Sequence, residues 1–154
     1  MDIINILKLV IMGTIGTAGF AILFSTKPSH VPFAAIGGAI ATLVYVLIDE
    51  VDGNLFVSNF CATLVCVIYS NICARWLKTP SMVFITASII PLVPGGSLFY
   101  TMSNLILGNA ESAKTYGLNT LQVALGIAGG IVIESLIVSI MSKFSSNKKT
   151  SATE

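Results

Sequence analysis

The chain has 154 residues, of which 55% are hydrophobic and only 10% charged, and its mean hydropathy is +0.90. Average soluble domains carry about 25% charged residues, so this composition belongs in a lipid bilayer and excludes an ordinary soluble domain. The net charge of +1 gives no argument for a nucleic-acid or acidic partner.

Five hydrophobic segments follow in chain order. The first runs from about Ile3 to Phe24. It lacks the basic start of a signal peptide, since Asp2 precedes Lys8, and it has no clear small-residue cleavage site, so it is expected to be retained. The second runs from Val31 to Ile48, with Pro32 suited to a first helical turn. The third, Leu55 to Ala74, follows the turn signal Asp52-Gly53-Asn54. The fourth, Met82 to Leu107, follows Thr79-Pro80-Ser81, and the fifth runs from Leu118 to Met141. Each is long enough to cross ~30 Å of hydrocarbon, the second only just. The sequence therefore predicts an all-α integral membrane protein with one five-span domain over 1–142. A polar tail, KFSSNKKTSATE, is expected to be disordered over 143–154.

Five crossings put Lys27, Arg75, Lys78, Lys143, Lys148 and Lys149 on one side. The other side receives Asp2, Asp49, Glu50, Asp52 and Glu111, with Lys114 and Lys8 as its bases. Positive-inside logic then places the N-terminus outside and the C-terminus in the cytoplasm of a multi-pass cell-membrane protein. His30, beside Lys27, reads as a loop histidine, and Asp49-Glu50-x-Asp52 as a solvated turn.

The fourth segment contains IIPLVPGGSLFY, residues 89–100, in which two prolines and two glycines interrupt an apolar run. Met82 to Ile90 makes ~13 Å of helix and Ser97 to Leu107 ~16 Å, so the interruption is expected near the bilayer midplane. Pro91 and Pro94 have no N–H, which is expected to free the carbonyls of Ala87 and Ile90. Gly95 and Gly96 permit an unusual backbone path, and Ser97 is a candidate N-cap for a second half-helix. A helix N-terminus attracts anions, and non-helical backbone at this depth is tolerated where it lines a cavity. The pattern predicts a substrate site of the discontinuous-helix kind, formed by Pro91, Pro94, Gly95, Gly96, Ser97, Thr101 and Asn104. The plainer alternative is a proline kink used for packing.

Asn59, Thr63, Cys66, Ser70 and Cys73 recur at helical spacing in the third segment, and Ser97, Thr101, Asn104 and Gly108 form a second stripe. Such stripes turn toward partner helices or a cavity, and either one alone reads as interhelical glue. The three cysteines, Cys61, Cys66 and Cys73, lack metal-ligand spacing and read as packing residues. Gly13, Gly16, Gly19, Gly126 and Gly130 are expected to permit close helix packing. Glu134 is the only acid well inside a predicted span. An intramembrane carboxylate is costly and suits proton exchange, so it is the proton-coupling candidate, with snorkelling toward the interface or pairing to Arg75 or a partner chain as the alternative.

GTAGFAILF in the first segment, VFITASIIPLVPGGSLFYTM in the fourth, and the five-span length resemble the threonine/serine exporter family. The likeness is greatest to its small, YjjB-like subunit, which corresponds to the C-terminal half of ThrE, and it covers nearly the whole chain. The resemblance implies export of small carboxylated metabolites, threonine and serine or a dicarboxylate such as succinate. It also implies a larger five-span partner subunit with a cytoplasmic domain, and it carries over onto Pro91, Pro94 and Gly95. Glu134 matches no motif of the family. A homo-oligomer with opposed orientations is a further possibility for a chain with an odd span count. There is no His-Glu-x-x-His and no GxSxG, and nothing calls for a cofactor or a metal, so a membrane enzyme is not expected. A non-transporting assembly or scaffold subunit remains the alternative function.

Overall fold

The computed structural model describes residues 3–150, and of 140–150 only the backbone. It is built of helices alone among the described residues: α1 (Ile3–Leu23), α2 (Val31–Asp52), α3 (Leu55–Leu77), α4 (Met82–Ile89), a 3-10 turn (Ile90–Leu92), α5 (Gly95–Ile106) and α6 (Ala110–Thr150). The backbone is helical as far as Thr150, past the residue where the sequence expects a disordered tail. Residues 151–154 of that tail lie outside the described residues.

Local chemistry sets the boundaries. Pro32 stands in the first turn of α2, where its missing N–H costs nothing. Gly53 ends α2 in the left-handed conformation at φ 62°, and the Asn54 side chain then caps α3 by accepting from the Phe56 N–H at 3.0 Å. Gly108, at φ 75°, separates α5 from α6. That turn lets α6 begin at Ala110, earlier than the expected Leu118.

Among the described residues, four helices are long and apolar enough to cross a membrane: α1, α2, α3 and the Ala110–Ser139 part of α6. The pair Met82–Leu92 and Gly95–Ile106, bent by 52°, adds a fifth if it forms one broken span.

Helix α3 is the centre of the bundle, packed between α2 and α6, with α1 against α2, α4 beside α2 and α3, and α5 leaning on α6. The polar stripe on α3 faces inward as expected: Asn59, Thr63, Cys66, Ser70 and Cys73 are all buried. Cys66 and Cys73 pack within the apolar core.

Small residues let these helices approach. A Cβ on Gly126 would lie 2.7 Å from the Phe56 carbonyl oxygen, and one on Gly130 would lie 2.8 Å from Cβ of Thr63. Gly13 is filled by Thr42, and Gly38 by Thr17. Both threonines return their hydroxyls to their own helix, Thr17 to the Gly13 carbonyl and Thr42 to the Gly38 carbonyl, each at 2.8 Å. Gly16 and Gly19 face open space within this chain, so the close packing expected of them is absent. Both are exposed, whereas Gly13 is half-buried.

Candidate functional site

The break at IIPLVPGGSLFY is where the bundle opens. Ile89 and Leu92 anchor it in the core, while the Val93 backbone is extended at φ −61°, ψ 129°. The carbonyl of Ile90 is not free as expected, because the 3-10 turn closes on it with the Val93 N–H at 3.1 Å. Ser97 is not the N-cap. Pro94 occupies that position, and α5 starts two residues before Ser97. Neither Gly95 nor Gly96 has a positive φ; they form an ordinary first helical turn and are exposed, with open space where a Cβ would stand. Glycine is therefore not required there for an unusual path.

What the break does provide is a helix start without a side-chain cap. Gly95 donates to the Val93 carbonyl at 2.7 Å and Leu98 to the Pro94 carbonyl at 2.9 Å. Among the described residues, no backbone acceptor meets the N–H groups of Gly96 and Ser97 between them. Such donors at the positive end of a helix dipole are an anion site in waiting.

Beside this start lies a cavity of about 170 Å³ lined by Tyr45, Leu55, Asn59, Pro91, Leu92, Val93, Pro94, Ser97 and Val123. Three of the sequence-predicted residues, Pro91, Pro94 and Ser97, therefore share one cavity. Thr101 and Asn104 do not line it. Each returns its side chain to its own helix, Thr101 to the Ser97 carbonyl at 2.7 Å and Asn104 to the Tyr100 carbonyl at 2.8 Å.

Two cavity residues come from other elements. Asn59, a member of the buried α3 stripe, had no assigned role at the break. It is 1% exposed, its Nδ2 donates to the Leu55 carbonyl at 2.7 Å, and its Oδ1 has no partner. Tyr45 arrives from α2 and carries no local sequence signal that links it to the break.

Glu134 lies elsewhere. It is buried on α6 and accepts a hydrogen bond from Asn71 Nδ2 at 2.5 Å. Arg75, the partner considered from the sequence, stands exposed. Glu134 and Asn71 sit in the wall of a larger cavity of about 660 Å³, bounded mainly by apolar side chains of α3, α4 and α6. Val93 lines this cavity as well as the smaller one. The larger space suits apolar contact, whereas the donors fit for an anion sit beside the smaller.

At one end of the bundle Lys27, His30 and Lys78 surround a third cavity, and at the other Asp49 and Glu50 line a fourth. Lys27, His30 and Lys78 thus lie away from Asp49 and Glu50, which belong to the C-terminal end of α2 and not to the solvated turn expected there.

Together these features define a multi-pass α-helical membrane protein with an interrupted helix at its polar cavity. The chain belongs to the threonine/serine exporter family, ThrE, whose description matches residues 9–137, and that family is one of transporters. No solved structure matches the chain.

Proposed function

We propose that this protein is the small membrane subunit of an exporter of small carboxylated metabolites, either threonine/serine-type amino acids or a dicarboxylate such as succinate. It resides in the cell membrane as five spans, N-terminus outside, and works with a larger five-span subunit that has a cytoplasmic domain. The observation that carries this reading is the start of α5, where Ser97, whose N–H meets no backbone acceptor, lines a cavity together with Pro91 and Pro94. A substrate carboxylate there accepts from that donor in the favourable field of the helix dipole. Glu134, in the separate larger cavity, serves as the proton-coupling group.

Tracer efflux from cells with and without the larger subunit tests this reading. Export of labelled threonine or succinate is expected only when both chains are present, and to fall when Pro91 and Pro94 are both replaced by alanine. Normal export by the double proline variant would leave the break as a packing kink and favour the scaffold alternative.

A further inference from the structure

The cavity beside α5 has two chemically different sides. On the α5 side stands Ser97, with its N–H and its hydroxyl as donors. On the α3 side is an acceptor whose need is unmet, Asn59 Oδ1. Exchanging the amide oxygen and nitrogen would not relieve it. That exchange would set the oxygen against the Leu55 carbonyl, which now receives Nδ2 at 2.7 Å, and two acceptors would face each other. The orientation is therefore fixed by the helix itself. A buried amide oxygen without a donor is rare in folded proteins and calls for a missing partner.

Apolar Leu55, Leu92, Val93 and Val123 complete the wall. A dicarboxylate would satisfy the donor side and then bring a second acceptor toward Asn59. A zwitterionic amino acid would present its carboxylate to α5 and its ammonium to Asn59.

Resting on the transport reading above, we propose that Asn59 is the specificity-determining residue of this site: its Oδ1 accepts a hydrogen bond from the substrate's ammonium group and so favours α-amino acids over dicarboxylates.

The test is competition against labelled L-threonine export in native membranes carrying the full-length chain and its partner, with unlabelled L-threonine and succinate as competitors. Asn59→Leu removes the acceptor and is expected to weaken threonine about 10- to 100-fold, the range of a hydrogen bond to a charged group, while succinate is unchanged or improved. Asn59→Asp keeps an oxygen for the ammonium; its second oxygen takes the place of Nδ2 and, protonated, donates to the Leu55 carbonyl, so a second carboxylate gains no donor. It is expected to hold threonine within a few-fold and to exclude succinate further, and it serves as the reporter if the leucine variant fails to assemble.

Equal loss of threonine and succinate in Asn59→Leu, or in Asn59→Asp where only that variant assembles, would overturn the ammonium role and leave the carboxylate site standing. If neither the Asn59 variants nor Ser97→Ala changed either competitor, the site itself would be misplaced, and the proposal with it.

Discussion

The side-chain amide of Asn71 on α3 donates to Oε1 of Glu134 on α6 at 2.5 Å, joining the two helices through one polar contact in the wall of the larger cavity. The contact explains how the carboxyl group is held inside the bundle, since a neutral amide serves it in either protonation state.

The two residues should separate in their effects. Glu134→Gln keeps an oxygen for Asn71 but removes the exchangeable proton, so assembly and thermal unfolding should stay near wild type while export driven by an imposed pH gradient falls at least tenfold. Asn71→Leu leaves a buried carboxyl without its donor and should cost about 1–3 kcal/mol of stability in detergent. A Glu134→Gln protein that still follows the pH gradient would remove Glu134 from coupling.

Glycine positions divide into two groups. Gly126→Val and Gly130→Val would drive a side chain into the Phe56 carbonyl or Thr63 and should destabilise by about 1–3 kcal/mol. Gly16→Val and Gly19→Val face open space and should change the unfolding temperature of the isolated chain little. If those two instead disrupt co-purification with the larger subunit, they mark its docking face on α1.

Gly95→Ala and Gly96→Ala should insert, fold and export at close to the normal rate, because both positions are helical and unobstructed. Alanine in a helix is favoured over glycine by up to about 1 kcal/mol, so α5 should be slightly firmer. Loss of transport in either variant would show that another chain closes over that surface.

Topology has its own check. In a background lacking Cys61, Cys66 and Cys73, a cysteine at Asp52 should react with an impermeant thiol reagent from outside, and one at Lys148 should not. Reversed labelling would invert the orientation, and labelling of both from outside would mean an even number of crossings.

Much of this architecture was legible in the sequence because hydrophobic run length and turn chemistry are local. Asp52-Gly53-Asn54 became a left-handed cap followed by a side-chain cap, and the two prolines marked the interruption. The details of the interruption were not legible. The double glycine suggested a strained path, yet the N-terminal turn of a helix accommodates it with negative φ throughout. Thr101 and Asn104 share a face with Ser97 by spacing, but hydroxyl and amide groups on a helix can bond back to the carbonyl four residues earlier, which removed both from the cavity. Asn59, Tyr45 and Asn71 depended on which helix lies beside which, and one strand of sequence does not encode that in any short pattern.

The reciprocal fit of Thr17 on Gly38 and Thr42 on Gly13 joins α1 to α2 through residues made before any part of α3 exists. The first hairpin thus carries its own clasp and can pair as soon as the ribosome and the insertion machinery release it. The broken helix and α6 are made later and dock onto a platform already set. Damage to the clasp should consequently register during biogenesis, as slow maturation and early proteolysis of new chains, more than in the turnover of those that reach the membrane intact.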